Sequence, residues 1–270
     1  MQGNEKFLGR VASYAHKHAL WREGERILAA VSGGPDSLAL LLALKLLAVK
    51  EKINIGCCCV NHHLRAAAGK EAEFVESVCR EWNIPFILKE VDVQSAVRNG
   101  GSIETAARDL RYKALREAAR GGGYAKIAVA HHGDDQAETV LYHLLRGSGV
   151  TGLSGMKPIN GDIIRPFLCV SKNEIKDFLK DFSYVPCHDE SNDVEDAVRN
   201  RIRLSLVPEL ISYNPRVTES LRRTADIFRE EDLFMEEKAD VFISSCVEHD
   251  NDKCVFFIAY FLVLHIALQR

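Results

Sequence analysis

Short apolar runs alternate with longer stretches of helical pattern, and no other feature of the sequence constrains the fold as much. Arg26 to Val31, Ile53 to Val60, Pro85 to Val93, Lys126 to Ala130 and Ile163 to Pro166 are each too brief for a helix and read as buried strands. Between them residues 36–50, 68–82, 102–119 and 134–145 carry helical spacing, and an amphipathic helix near 5–20 precedes the series. Strands joined through helices make right-handed crossovers, which build a parallel sheet covered on both faces. The expected architecture is therefore α/β: a doubly wound, mostly parallel five-stranded sheet of Rossmann-like form. Beyond a helix over 171–182 the strand signals stop, and residues 199–211, interrupted at Pro208, and 215–237 read as helices. This divides the chain into an α/β domain over 1–214 and a helical appendage over 215–270.

Composition narrows the class. With 270 residues, 47% hydrophobic and 27% charged, the chain can bury a sizeable core. Its longest apolar stretch, Val255 to Leu268, is short of the roughly 18 residues of a membrane span and reads as a core helix. The first residues lack the basic-then-apolar layout of a secretory signal, so a cytoplasmic protein with no membrane partner is expected. Of eight cysteines, three are consecutive (Cys57, Cys58, Cys59) inside one strand and no C-x-x-C occurs, which predicts free thiols rather than disulfides or a metal cluster. The net charge of −3 argues against bulk electrostatic coating by nucleic acid. Locally the sign reverses: residues 198–223 hold six arginines against two glutamates, and 226–237 hold six acids against one arginine. Such a basic stretch reads either as a phosphate-contacting surface or as a solvated helix face.

In a sheet of this kind ligands bind outside the carboxyl ends of the strands, so the segments 32–37, 61–65 and 131–135 are expected to line one crevice. Ser32-Gly33-Gly34-Pro35-Asp36-Ser37 stands where backbone N–H groups and a helix dipole converge on an anion. Its glycines let the main chain approach phosphate oxygens, its serines can donate hydrogen bonds, and Asp36 can hold Mg²⁺ against a phosphate. No Gly-Lys-Ser/Thr follows, so it is not a Walker A loop. The alternative is a glycine turn with an aspartate near the helix start. Asp134, Asp135 and Glu138, with His131 and His132 beside them, supply acids and proton acceptors at a strand end, or merely an acidic helix start. Arg108 and Arg111 lie on one helix and can clamp a nucleotide or pair with acids; Arg146, before Gly147-Ser148-Gly149, is a phosphate candidate. Arg199, Arg201 and Arg203 fan around a helix rather than forming one stripe. His62 and His63 follow a strand and either serve a ligand or only end the strand.

Ser32 to Ser37 resembles the pyrophosphatase loop of the N-type ATP pyrophosphatases. Val60-Asn61-His62-His63-Leu64-Arg65, Ser102 to Arg108, His131 to Thr139, Leu145 to Gly149, Arg165-Pro166-Phe167, Asp189 to Asn192 and Arg199 to Arg203 resemble, in this order, the motifs of the tRNA(Ile)-lysidine synthetase family. The resemblance implies that 1–214 is an ATP pyrophosphatase domain, and that ATP and Mg²⁺ are used to join free L-lysine to C2 of the wobble cytidine of a minor tRNA(Ile) with a CAU anticodon. AMP and pyrophosphate would be released, and reading would switch from AUG to AUA. It implies catalytic roles for Asp36, Asp135 and His132, and ATP contacts from Ser32, Gly33, Gly34, Pro35, Asp36, Ser37, His62 and Arg108. It further implies lysine contacts from Asp134, Asp135 and Glu138, tRNA contacts from Arg146, Arg199, Arg201 and Arg203, and Mg²⁺ on Asp36. Two departures stand out. Asn61 replaces a frequent aspartate, and the sequence stops at residue 270 where the family continues through further carboxy-terminal domains, so a truncated form with a weakened tRNA grip is expected. Whether the chain forms a homodimer is left open. Two other readings compete: an ATP pyrophosphatase adenylating a small carboxylate or amide, and a non-catalytic nucleotide-binding module.

Overall fold

The computed structural model describes residues 2–62, 68–93, 103–184, 197–250 and 253–256. Helix α1 (Gln2–Lys17) leads into β1 (Arg26–Ala30), α2 (Pro35–Glu51), β2 (Asn54–Asn61), α3 (Ala68–Glu81), β3 (Phe86–Glu90), α4 (Ile103–Gly122), β4 (Lys126–Ala128) and α5 (Gly133–Leu145). A single turn α6 (Val150–Leu153), strands β5 (Ile159–Asn160) and β6 (Ile163–Ile164), a 3-10 turn at Pro166–Cys169 and α7 (Lys172–Leu179) follow. The chain then forms α8 (Ala197–Arg201), one wide π turn (Ile202–Leu206), α9 (Val207–Tyr213), the long α10 (Val217–Cys246) and a hairpin of β7 (Val247–Asp250) and β8 (Lys253–Phe256). Among the described residues no helix is long and apolar enough to cross a membrane.

The main sheet has the order β3-β2-β1-β4-β6-β5. The pairs among β3, β2, β1, β4 and β6 are all parallel, and β5 runs antiparallel to β6. The fold is therefore the expected α/β sheet with six strands instead of five, the extra one a two-residue edge strand too short to leave a periodic signal. From β1 the chain winds outward to β2 and β3, then returns to lay β4 on the opposite side of β1. The direction of winding reverses between β1 and β4, and a crevice opens there beyond their carboxyl ends.

Helix α2 explains why β1 lies central. Every residue from Leu38 to Leu44 is fully buried, as an all-apolar helix requires. Alternation in the strands sorts the side chains by face. Ala29, Cys57 and Ala128 join the core shared with α1, α2 and α7, whereas Leu28, Cys58 and Ile127 pack with Leu115, Ala118 and Ala119 of α4. The consecutive cysteines thus point to opposite faces, and burial pushes the thiols of Cys58 and Cys59 up to about 12, so they are inert core residues.

Several boundaries move from the sequence expectation. The helix expected over 215–237 continues to Cys246, because no glycine or proline ends it. The interruption expected at Pro208 takes the form of the π turn that precedes it: a proline cannot donate its N–H, and its ring crowds the carbonyl four residues back. Val255 and Phe256, expected to open a core helix, lie in β8, and the rest of that stretch is outside the described residues. Ser102, the start of the helix read over 102–119, is also outside them. A full capping box starts α7, where Ser171 Oγ accepts from Glu174 N–H and a Glu174 carboxylate oxygen accepts from Ser171 N–H.

Tyr124, just after the glycine run that ends α4, fills the gap between that helix and β2. A Cβ at Gly56 would sit 2.0 Å from its hydroxyl oxygen, and one at Gly122 would sit 2.4 Å from its ring. Gly56→Val is expected to destabilise the protein by about 1–3 kcal/mol through overpacking. Urea unfolding checks this; an unchanged midpoint would show that the Tyr124 ring swings aside without cost.

Candidate active site

The segment after β1 and the segment after β4 meet at the crevice. Gly33 takes a left-handed φ of 90°, which turns the chain sharply after Ser32. Gly34 caps α2 without a side-chain bond and Pro35 stands in its first turn, so the helix start offers backbone N–H groups outward. Ser37 Oγ accepts from Ser32 N–H at 3.2 Å and donates to the Gly34 carbonyl at 3.0 Å, which fixes the loop on itself. Asp36 follows, with its Oδ1 buried and, among the described residues, without a hydrogen-bond partner.

Across the crevice, His132 caps α5 in a manner unusual for histidine. Its Nδ1 accepts from Asp135 N–H at 3.4 Å, while Asp135 Oδ2 accepts from His132 N–H at 2.9 Å. With Nδ1 spent on the cap, Nε2 faces Asp36 Oδ2 at 3.7 Å, an ion-pair distance rather than a hydrogen bond. Burial works against a charge on His132, but Asp135, Asp36 and Asp134 outweigh it and hold its pKa above the usual value. Burial likewise raises Asp36, and the opposing pull of His132, then Lys172 and Arg203, leaves it below the ordinary carboxylate range. The glycine between His132 and Asp134 is there for space. Its N–H donates to the Val170 carbonyl at 2.7 Å, and a Cβ would lie 2.9 Å from that oxygen and 2.5 Å from Arg222 Nη1.

The neighbouring histidine behaves differently. Burial drives the pKa of His131 down to about 4 against the pull of Asp135, and Arg165, Arg108 and Arg111 add to the effect, so it is neutral at pH 7. Its Nδ1 has no hydrogen-bond partner among the described residues.

The three acids of α5 are already engaged. Asp134 Oδ2 accepts from Lys172 N–H at 2.7 Å, joining α5 to the start of α7. Arg203, on the π turn, clamps Glu138 with two bonds of 2.8 and 2.9 Å and reaches Asp135 Oδ1 at 3.3 Å. Burial raises the Glu138 pKa, and Arg203 is the main force against it. Four carboxylates therefore surround one guanidinium and one histidine, and the cluster stays anionic even with both cations charged.

Asp36, His132, Asp134, Asp135 and Glu138 are brought together, with Ser32, Gly33, Gly34, Pro35 and Ser37 forming the adjoining loop. His62 sits half-buried just past the end of β2. Arg108 is exposed on α4 with its guanidinium 5.2 Å from the Tyr112 ring centre. Arg146 and Arg199 gather at Tyr142, and Arg201 is exposed. Arg203, expected to face RNA, instead turns inward onto the acids. The π turn explains this, since one wide turn changes which side chains of the helix face α5. His63 and Asp189 to Asn192 are outside the described residues. Sequence reasoning missed the Lys172 backbone N–H, which carries no side-chain signature, and Tyr142. It also gave no role to Arg165, which is 7% exposed and donates to the Lys157 carbonyl at 2.7 Å, although its Arg-Pro-Phe string was legible.

No group of three His, Cys, Asp or Glu side chains forms a ready metal cage among the described residues. The orphaned Asp36 oxygen at the mouth of the loop nevertheless fits a Mg²⁺ held by one carboxylate, phosphate oxygens and water, the usual arrangement for this ion.

Residues 5–210 match the family model for the PP-loop domain. The chain is 36% identical over 264 residues to the tRNA(Ile)-lysidine synthase of Caldanaerobacter subterraneus subsp. tengcongensis, a match covering 97% of this chain and 56% of that protein. It is 37% identical over 233 residues to the tRNA(Ile)-lysidine synthase of Petrotoga mobilis, covering 84% of this chain and 74% of that one. The chain thus spans little more than half the length of the first relative. Among solved structures its fold is similar to that of the U34-tRNA thiolase NcsA from Methanococcus maripaludis, with a TM-score of 0.67 over 84% of this chain and 80% of that one. At 17% identity this likeness speaks for the fold alone.

Removing Arg203 would leave Glu138 buried without a counter-charge. Because Arg203 is partly exposed, the ~3–5 kcal/mol of a fully buried pair is discounted, and Arg203→Leu is expected to cost roughly 1–3 kcal/mol at pH 8. Without the guanidinium the folded-state pKa of Glu138 rises further above its unfolded value, so the folded variant takes up a proton at lower pH. Its penalty is then smallest at acid pH and grows as pH rises through that pKa. Urea titrations of both proteins at pH 5 and pH 8 check this; a penalty independent of pH would show that Glu138 is not the group left uncompensated.

Proposed function

Because the chain belongs to the tRNA(Ile)-lysidine synthase family of PP-loop proteins, we propose that it ligates lysine to C2 of the wobble cytidine of a CAU-anticodon isoleucine tRNA at the expense of ATP. One observation carries this reading: an anion-receiving loop and an anionic cluster face each other across one crevice, joined by the Asp36–His132 contact of 3.7 Å. The first suits triphosphate and the second a cationic amino acid, so two substrates of opposite charge meet where β1 and β4 end.

In this reading cytidine O2 attacks the α-phosphorus, the bond to the bridging oxygen breaks, and pyrophosphate leaves with its charge against the backbone N–H groups of Ser32 to Ser37. Arg108 and His62 approach the nucleotide from neighbouring elements. Mg²⁺, when bound through Asp36, neutralises charge on the phosphates. The lysine ε-nitrogen then attacks C2, the C2–O bond breaks, and AMP departs. Asp134 and Asp135 still have carboxylate lone pairs to receive the ε-ammonium, which must give up a proton before it attacks. Glu138, spent on Arg203, shapes that pocket rather than touching the amine. His132 keeps Asp36 and Asp135 in register. Of the arginines assigned to tRNA, Arg146, Arg199 and Arg201 remain; Arg203 belongs to the acid pocket. The α/β unit to residue 214 carries the chemistry, and the segment after it adds surface for the RNA. Such a ligase works in the cytoplasm.

Labelled lysine, ATP and minor isoleucine tRNA test the proposal directly, with lysine incorporation and AMP release as readouts. Asp36→Ala is expected to lower AMP release by about 100-fold or more while the unfolding midpoint stays close to that of the parent. AMP release without lysine incorporation, or adenylation of a small carboxylate instead, would overturn the reading.

A further inference from the structure

Helix α5 faces α8 and the π turn that continues it as a ladder whose first rung is Arg203 on Glu138 and whose next rung is Arg199 on Tyr142. Glu138, Tyr142 and Arg146 are spaced by four on α5 and share a face, while Arg203 and Arg199 are spaced by four on the opposing segment. The Tyr142 ring centre lies 5.0 Å from the Arg146 guanidinium and 5.7 Å from that of Arg199. Arg146 Nη1 also donates to the Tyr142 hydroxyl. Unlike Arg203, neither arginine has a carboxylate partner among the described residues, and Arg146 is exposed. An aromatic ring holds a guanidinium without neutralising it, so both keep their charge, and the donors beyond the one Arg146 gives to the Tyr142 hydroxyl remain for an outside anion.

We propose that Tyr142 is a positioning residue that holds Arg146 and Arg199 as a phosphate subsite for the unpaired nucleotides next to the base that enters the crevice. This rests on the RNA-modifying reading above and adds to it a location, a positioning residue and the strand type. Location follows from spacing: four residues of helix advance about 6 Å, so the strip begins one turn beyond the acid pocket and extends to about two. Phosphates so close to the reacting base belong to the loop that carries it, which is single-stranded. Arg203, although in the same run of arginines, is excluded because its donors face Glu138 and Asp135.

The test compares binding and turnover of this chain with those of Arg146→Ala/Arg199→Ala, Tyr142→Leu and Tyr142→Phe. Fluorescence anisotropy with the minor isoleucine anticodon stem-loop, at several salt concentrations, gives the slope of log affinity against log salt. Each single-strand phosphate contact contributes about 0.7 to that slope, so the double variant is expected to lose about 1.4. Tyr142→Leu should lose a large part of the same slope with both arginines still present, and Tyr142→Phe, which keeps the ring, much less. KM for tRNA should rise by about tenfold more than any change in KM for ATP. Unfolding midpoints near the parent's show that the variants fold; for any that does not, Arg146→Gln alone, at an exposed position, must still lose about 0.7. Lysine incorporation by the parent with slopes unmoved in the variants overturns the subsite and leaves the ligase reading intact. Slopes falling by about 0.9 per arginine on a duplex stem, and not on the loop, overturn the single-strand assignment. A parent that neither binds the stem-loop nor incorporates lysine overturns both readings.

Discussion

The site depends on one histidine holding two chain segments together. His132 spends Nδ1 and its backbone N–H on Asp135, which starts α5, and directs Nε2 toward Asp36, which starts α2. The two helices leave adjacent strands at the point where the winding of the sheet reverses; the β1–β4 ladder ends at Ala29 and Ala128, and beyond it this contact links the first turns of the helices. A buried imidazole that accepts at Nδ1 and therefore carries its proton on Nε2, toward Asp36, supplies that link. It also keeps two carboxylates from repelling each other across the crevice, where the low dielectric would make the repulsion costly. The same contact lowers the pKa of Asp36 and raises that of His132, as expected when each stabilises the charged form of the other.

Arg203 performs a second, separable task. A pocket for a cationic substrate needs negative charge, but four carboxylates in one crevice would protonate or push apart without an internal cation. The guanidinium meets Glu138 in two parallel bonds and touches Asp135 with the same nitrogen, so it neutralises the deepest acid and leaves Asp134 and the outer face of Asp135 available. A lysine at the same place would provide one point charge and no such fork. The π turn makes the geometry possible, because it lets Arg203 face α5 on a helix whose neighbours, Arg201 and Leu204, face solvent.

How much of this was legible in the sequence follows from how local each signal is. The parallel sheet, the glycine turn after β1 and the acid string after β4 were all readable, because each depends on residues within a few positions of one another. The rule that ligands bind beyond the strand ends also placed 32–37 beside 131–135, whereas most of the third segment expected there, 61–65, lies outside the described residues. The inward turn of Arg203 was not readable: in sequence it is one of three alternating arginines, and only the π turn distinguishes its direction. Lys172 could not be found at all, since its contribution is a backbone N–H that any residue would provide. Strand β6 lies in the apolar run read as the fifth strand, whereas the two-residue β5 owes its existence to pairing with β6 rather than to any pattern of its own.

Charge along α5 shows what pairwise geometry adds to a count of acids and bases. Asp134 and Asp135 stand in its first turn and Arg146 caps its last, an order that suits the helix dipole and that a stable surface helix would show without any function. What goes beyond helix stability is the partnering. The acids are buried or half-buried at the crevice and bound to specific donors, whereas Arg146 and Arg199 are held by a tyrosine and have no carboxylate partner among the described residues. A helix serving only its own stability gains nothing from burying Glu138 or from setting Arg146 against a tyrosine. One helix thus carries two ends of opposite sign, about 18 Å apart at 1.5 Å per residue, each prepared for a charge opposite to its own. In the proposed function, this separation would let a chain of net charge −3 receive a cation at one end of α5 and a polyanion at the other without a basic surface overall.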